Sequence, residues 1–278
     1  MKKILTYPLF ILSTIFLHLF LIKQGFPLQY IPSVVAFSLI VVLLYLEKII
    51  PYHAEWNVDR GDLKTDLIQT LVVLPIVALI IESFYKIINV QLGINVWPNH
   101  WPFIWQLIVG VLVSEFLFYW YHRLSHQIGF LWRFHAVHHG AERVYWANSG
   151  RFHFVDIFFQ FTLYFIPIFL LGAPLEVTAM FLTLNAVTGI LEHANINFRT
   201  IILSRIFNTA ELHRAHHAKE LKIANNNYGK ILSIWDTVFG TYLKPRSFEQ
   251  SRDVGLAHNK KVPVTFIEQL KYPFKKDR

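Results

Sequence analysis

Apolar residues fall into six runs separated by short polar segments: Ile4–Ile22, Tyr30–Leu46, Leu67–Ile88, Phe103–Tyr121, Phe154–Leu171 and Leu175–Leu191. A bilayer core of about 30 Å is crossed by roughly 20 helical residues, somewhat fewer if the ends snorkel. The pattern therefore predicts an all-α, polytopic membrane helical bundle. The first run is flanked by Lys2, Lys3 and Lys23; it is long and no small-residue cleavage site follows, so it reads as a retained anchor. Glu82 and Lys86 lie one turn apart and can pair near the exit of the third run. Gly172-Ala173-Pro174 reads as a tight turn, making the last two runs a helical hairpin that either spans or re-enters the membrane.

Composition agrees with this layout. Hydrophobic residues make up 54% and charged residues 16%, with a mean hydropathy of +0.39, whereas soluble domains run nearer a quarter charged. The net charge of +8 first suggests nucleic acid. With the N-terminus inside, however, 24 of the 26 Lys and Arg residues fall in cytoplasmic segments, as the positive-inside bias requires. The charge is then an orientation signal and no nucleic-acid partner is needed. It places 122–153 and 193–278 together on the cytoplasmic face. Val262–Phe274, flanked by Lys260, Lys261, Lys275 and Lys276, reads as an interfacial tail on anionic lipid. The chain has no cysteine, which removes disulfides, thiolate metal sites and iron–sulfur clusters.

Ten of the 14 histidines lie between residues 122 and 217. They form His122-x3-His126, His135-x2-His138-His139 and His213-x2-His216-His217, with His153 and His193 standing singly. Residues three and four apart share a helix face, so each block is expected to aim its rings broadly one way. The topology brings all ten to one membrane surface. So many clustered imidazoles cannot all be protonated, and neutral imidazole is a common metal ligand. One tetrahedral ion uses at most four, so nine or ten ligands suit two ions. Spacing alone leaves zinc, copper, iron and nickel open. The Glu-x-x-His pairs of soluble di-iron bundles do not occur here. His18, His53, His100 and His258 read as bystanders.

The order of these blocks resembles the fatty acid hydroxylase/sterol desaturase superfamily of membrane di-iron oxygenases. The flanking residues sharpen the likeness: Asn227-Tyr228-Gly229, then Trp235-Asp236-Thr237-Val238-Phe239-Gly240-Thr241-Tyr242, together with His193-Ala194-Asn195 and Arg151-Phe152-His153, resemble the sterol desaturase branch, particularly its shorter bacterial-type members. The resemblance covers about residues 105–245. It implies membrane helices over 1–100, a catalytic domain over 101–245 with a cytoplasmic histidine-rich helical cap, and a basic tail over 246–278. It further implies two iron ions held by His122, His126, His135, His138, His139, His153, His193, His213, His216 and His217. The implied reaction is dioxygen-dependent hydroxylation or desaturation of a lipid C–H bond in a sterol, fatty acyl chain, ether lipid or carotenoid. Two positions depart from the pattern. Phe154 stands where many relatives have proline, and Gly189 stands where some have a further histidine, so that one ligand is either missing or supplied by His153.

Asp236, Asn195 and Glu115 are candidates for orienting the imidazoles through their outer nitrogens, with Asp156, Glu192 and Asn148 beside them. Asp236 leads because it sits in the most specific motif, although a cap or turn role suits an aspartate equally. Phe158, Phe161 and Phe165 share a helix face and either guide an acyl chain or ring system or simply face lipid or pack in the core. No Gly-x-Gly-x-x-Gly turn is present, so electrons are expected from a separate cytochrome b5-like or ferredoxin-type donor. The location implied is the inner membrane in a bacterium or the endoplasmic reticulum in a eukaryote, where the terminal Lys275-Lys276-Asp277-Arg278 resembles a retrieval signal. Residues alone also admit a membrane metal transporter or sensor, a bis-histidine haem protein, or an inactive relative. Transporters place ligands near the bilayer midplane, whereas these blocks lie at one surface.

Overall fold

A computed structural model describes residues 2–198, 200, 203–244 and 253–275, with the side chains of residues 2–6 and 259 excepted. The expected retrieval signal at the C-terminus lies almost wholly outside the described residues, as does the start of the tail. The principal helices are α1 (Lys2–Lys23), α2 (Ile31–Ile49), α3 (Leu63–Leu92), α4 (Phe103–Gln127), α5 (Gly129–His139), α6 (Phe154–Leu170) and α7 (Leu175–His193). Short helices α8 (Ala210–His216), α9 (Leu221–Ala224), α10 (Ile234–Val238) and α11 (Phe266–Lys271) complete the cap and tail. Among the described residues there is no strand, only isolated bridges such as Pro51 to Ile196. The expected all-α membrane bundle is what the chain forms.

α2, α3, α4 and α7 are long and apolar enough to cross a membrane, while α6 and the apolar part of α1 are shorter. Helix α7 is the hub, with 67% of its apolar window buried, against 17% for α3 on the periphery. On one side Ile31, Val35, Leu39 and Leu43 of α2 pack with Val187, Ile190 and Leu191 of α7. On the other, Val77, Ile81 and Tyr85 of α3 and Phe118 of α4 close over Phe161, Tyr164, Phe165 and Phe181. The outward rows, such as Phe37 and Tyr45 on α2 or Ile76, Leu79 and Ile80 on α3, stay exposed. An apolar surface of that extent is stable only in a lipid environment.

Two prolines mark two distortions. Pro75 follows a π-helical turn at Gln69–Val73, and Pro167 lies in a second at Ile166–Leu170. Proline removes one hydrogen bond and clashes with the carbonyl four residues earlier, so the ladder re-registers around it. The first distortion turns Gln69 and Thr70 inward. Thr70 Oγ1 donates to Ala147 O at 2.5 Å and accepts from Gly150 N–H at 3.1 Å, pinning the α5–α6 connection against α3. A Cβ on Gly150 would sit 2.6 Å from the Thr70 backbone, so only glycine permits this approach.

Loop pairing sorts the bundle into two ends. At one, Asn89 donates to Leu170 O, Trp97 N–H donates to Leu171 O, and Gly172 makes the tight α6–α7 turn at φ +82°. At the other, Tyr52 N–H donates to Asn195 O and Arg143 pairs with Asp62. Segments near residues 52–62, 140–153 and 193–244 therefore share one end, as the loop charges suggested. Glu82 and Lys86 form the expected pair at 2.5 Å on a largely exposed surface. The described part of the tail packs on the protein. Val262, Gln269 and Tyr272 are buried, with Val262 and Tyr272 against Ala136 and Val137 of α5, so this segment is docked on the cap and leaves only residues such as Ile267 and Phe274 outward. Phe161 and Phe165 are core residues and Phe158 faces out, which decides their role in favour of packing.

Candidate metal centre

Nine histidines gather into two adjoining groups. His122, His126, His135, His139 and His216 form one; His138, His193, His213 and His217 form the other; within each group the ligand nitrogens lie within 4.8 Å of one another. Eight of the nine are buried and His126 is partly buried. The last turn of α4 supplies His122 and His126, α5 supplies His135, His138 and His139, the end of α7 supplies His193, and α8 with its first following residue supplies the rest. The blocks do not each aim one way, as their spacing suggested. The i, i+4 pair of each His-x2-His-His block enters one group and its middle histidine enters the other. Thus His135 and His139 go with His216, while His213 and His217 go with His138. The rings of His139 and His217 stack at 4.4 Å, so the groups share a wall.

Hydrogen bonding at the outer nitrogen fixes which nitrogen points inward in five of the rings. Nδ1 of His122 lies 2.8 Å from Tyr228 O, that of His138 3.2 Å from Arg151 O, that of His193 3.1 Å from Gly189 O, and that of His216 2.7 Å from Asn226 O. A carbonyl only accepts, so each Nδ1 carries the proton and each Nε2 presents a lone pair. His135 Nδ1 does the same toward Asp156 Oδ2 at 2.9 Å. The consequence is repulsive in isolation. Nε2 of His122 and Nε2 of His216 are 2.9 Å apart, and both are acceptors. Further Nε2–Nε2 contacts join His126 to His139 and His139 to His135 at 3.1 Å, and in the second group His217 to His138 at 3.1 Å, His217 to His213 at 3.0 Å and His213 to His193 at 3.2 Å. Imidazoles bound to one ion at about 2.0–2.1 Å hold neighbouring nitrogens roughly 2.9–3.4 Å apart. The donor set therefore fits a metal ion in each group.

Local electrostatics keep these rings neutral. Burial, reinforced by the neighbouring histidines, holds His138, His139, His213 and His217 well below their ordinary value, and burial takes His216 down to about 3. A neutral imidazole is the ligand form.

Supporting contacts fall differently from the sequence candidates. Asp156 is the only carboxylate among the described residues recorded within 3.5 Å of a ring nitrogen in either group, and Tyr121 Oη and Gln160 Nε2 donate to it. Asp236, the leading candidate, touches no histidine. It accepts from Tyr228 N–H at 2.7 Å, Gly229 N–H at 2.8 Å and Thr241 Oγ1 at 2.7 Å, so it shapes the loop whose Tyr228 carbonyl holds His122. Burial pushes the Asp236 carboxyl up to about 6 despite these bonds. Glu115 serves the same loop, accepting from Lys230 N–H, Leu232 N–H and Tyr164 Oη. Asn195 is further away: it ties the end of α7 to His53, Asn57 and Glu47. Asn148 braces the α5–α6 loop through Arg143 O, and Glu192 Oε2 lies 4.0 Å from His213 Nδ1.

His153 is not brought to either group. It opens α6, where its Nδ1 accepts from Val155 N–H and its Nε2 faces Leu270 O. The sequence reading also missed the carbonyls of Arg151, Gly189, Asn226 and Tyr228, because backbone oxygens carry no residue-type signal. It missed Asn225, whose Oδ1 lies 3.2 Å from His126 Nδ1. Buried arginines were missed too. Arg143 pairs with Asp62 at 2.6 Å and Arg151 with Asp66 at 3.0 Å, Tyr145 Oη donates to Asp66, and this network sets Arg151 O beneath His138. Phe152 stacks on the His138 ring at 4.1 Å. A cavity of about 30 Å³, roughly one water-sized molecule, borders both groups and is lined by Phe118, Phe152, Gln160, Gly189, Glu192 and Lys230.

Comparison with known proteins bears directly on this arrangement. A family model described as fatty acid hydroxylase matches residues 107–241, which contain all nine clustered histidines. Ornithine lipid hydroxylase of Rhizobium tropici is 39% identical over 254 residues, covering 87% of this chain and 75% of that protein. Human alkylglycerol monooxygenase is 29% identical over 161 residues, covering 58% of this chain and 34% of that protein. A Delta(7)-sterol 5(6)-desaturase of Schizosaccharomyces pombe is 25% identical over 172 residues, 58% of this chain and 47% of that protein. The chain thus spans most of the first relative and half or less of the other two. No solved structure matches it.

Two outcomes test the centre. Asp156→Asn keeps the shape but loses the carboxylate behind His135; removing such an outer partner costs about 10- to 100-fold in metal affinity. Chelator competition on detergent-purified protein should show that loss, and a change under twofold would count against the assignment. The second outcome concerns pH. The unfolded chain takes up protons below about 6.5 while the folded imidazoles stay neutral, so their depressed values contribute stability that fades as pH falls through that window. Metal-stripped protein should lose thermal stability progressively from about pH 6.5 downward; a flat profile would contradict the burial of these rings.

Proposed function

The chain belongs to the fatty acid hydroxylase/sterol desaturase superfamily, and on that premise we propose that it is a di-iron oxygenase that hydroxylates or desaturates a membrane lipid. The observation that carries this reading is the convergence of nine histidines, eight of them buried, into two groups whose inner nitrogens lie about 3 Å apart, five of them held as acceptors by an outer partner. Unactivated C–H bonds need an oxidant that side chains cannot provide, and two irons with dioxygen as co-substrate would supply it. His122, His126, His135, His139 and His216 would hold one ion and His138, His193, His213 and His217 the other. His153 then stands outside the ligand set as a helix-capping residue.

The chain's own residues have definable tasks. Tyr228, Arg151, Gly189 and Asn226 hold four imidazoles through their carbonyls, and Asp156 holds His135 through its carboxylate. Phe118 and Phe152 line the cavity and limit the water beside the histidines. The cavity borders α4, α6 and α7, the helices that continue into the bundle, so the lipid is delivered from the bilayer side. The relatives act on an ornithine lipid, an alkylglycerol and a sterol by name, and a polar-headed membrane lipid is the corresponding substrate class here. Electrons come from an external cytochrome b5-like or ferredoxin-type donor, docking at the basic cytoplasmic end.

Purified protein should carry two irons per chain, and cells expressing it should gain an oxygen-dependent change in one membrane lipid class. Metal content below two, unaltered by His138→Ala or His216→Ala, would defeat the assignment. Full metal with an unchanged lipid profile would favour metal transport or an inactive relative. Labelling of single cysteines introduced at residues 130 and 220 should place both on the cytoplasmic face, and opposite faces would overturn the orientation.

A further inference from the structure

Lys230 has no role in the centre described so far. Its backbone N–H is held by Glu115 Oε2 at 3.0 Å, which fixes where the side chain starts. From there it runs into the cavity beside both histidine groups. Its Nζ sits 5.7 Å from the ring centroid of Phe118 and 5.6 Å from those of Phe161 and Tyr164. Among the described residues no carboxylate lies within 4.0 Å of it. Glu115 is already committed to the two backbone amides and to Tyr164, while Glu192 lines the same cavity with Oε1 unpartnered. Gly189 borders the ammonium: a Cβ there would come 3.8 Å from Nζ, an ordinary contact.

An ammonium in an apolar setting is costly unless a hydrogen-bond acceptor meets it. Aromatic faces satisfy part of that demand, weakly and without direction. The partly exposed ammonium makes no hydrogen bond to the protein among the described residues, and the cavity it faces also borders the histidines. A hydrocarbon chain offers nothing to such a group; a carbonyl or carboxylate oxygen does. We propose that Lys230 is a specificity-determining residue that binds an oxygen acceptor of the lipid, so that the oxidised carbon lies close to a carbonyl or carboxylate rather than deep in the acyl chain. This rests on the oxygenase reading for the word oxidised, but not for the binding itself. Glu192 Oε1 offers an acceptor to an N–H or O–H of the same lipid region, and the flexible lysine stem can swing as the lipid enters the small cavity.

The test reads binding as well as product. The detergent-released full chain is titrated with dodecanoate or with dodecyl methyl ether and followed by native mass spectrometry, in the iron-loaded and metal-stripped forms. A hydrogen bond to a charged group changes affinity by about 10- to 100-fold, so wild type should favour dodecanoate by that order. Lys230→Met, which keeps the stem against the rings, should abolish the preference, as should Lys230→Gln, while Lys230→Arg retains most of it. A preference that survives in both neutral variants, or that Lys230→Arg loses as fully as Lys230→Met, overturns the proposal. If Lys230→Met fails to fold, Lys230→Gln decides by the same ratio. In active preparations the product should carry its new oxygen or double bond near the polar end, and mid-chain oxidation independent of Lys230 also overturns it. Protein that binds no iron but keeps the Lys230-dependent ratio would remove the oxygenase reading and leave this inference standing.

Discussion

Nearly everything at the histidine-bearing end serves one constraint: a proton held on the outer nitrogen of an imidazole forces its lone pair inward. Four carbonyls from three separate segments accept those protons, namely Tyr228 and Asn226 in the loop after α9, Arg151 before α6 and Gly189 within α7. Where two such lone pairs meet, as those of His122 and His216 do at 2.9 Å, they repel one another, and a cation between them would remove the conflict. The cost is carried by the surrounding fold, which must be rigid enough to keep the rings from turning away.

That rigidity comes from polar groups buried in quantity yet largely paired. A buried guanidinium or carboxylate is tolerated only with its partners in place. Arg143 donates to Asp62 and to Trp56 O, and Arg151 pairs with Asp66, which also receives Tyr145 Oη. These contacts link the start of α3 to the loop between α5 and α6, the loop that carries the carbonyl under His138. Arg214 plays the equivalent part for the second His-x2-His-His block. It lies over the Tyr52 ring at 4.1 Å and donates to Ala194 O at 3.1 Å, locking α8 to the end of α7. Such ion pairs add little net stability over apolar packing but strongly specify one arrangement, since a displaced partner leaves a buried charge alone.

Much of this was legible without coordinates. Six apolar runs locate the six membrane-side helices, with ends shifted chiefly where α3 and α4 extend beyond the apolar stretch into polar sequence at Leu63 and Gln127. The loop charges correctly bring the histidine-bearing segments to one end. Nine of ten histidines join the two groups, and His153 does not, because nothing in an Arg-x-His spacing distinguishes a ligand from a helix cap. Asp156 was visible only as one candidate among several. Asp236, which the motif favoured, acts one step further out, through the backbone of Tyr228 and Gly229.

By itself, then, the sequence determined the membrane bundle, which loops share an end and the inventory of imidazoles, because hydropathy, charge bias and side-chain type are properties of single positions and short spacings. The partition of those imidazoles into a group of five and a group of four was decided only in three dimensions. Within each His-x2-His-His block, helix geometry turns the middle ring away from the outer pair. Which neighbour that ring meets depends on how α4, α5, α7 and α8 cross, a long-range packing outcome that no local spacing encodes.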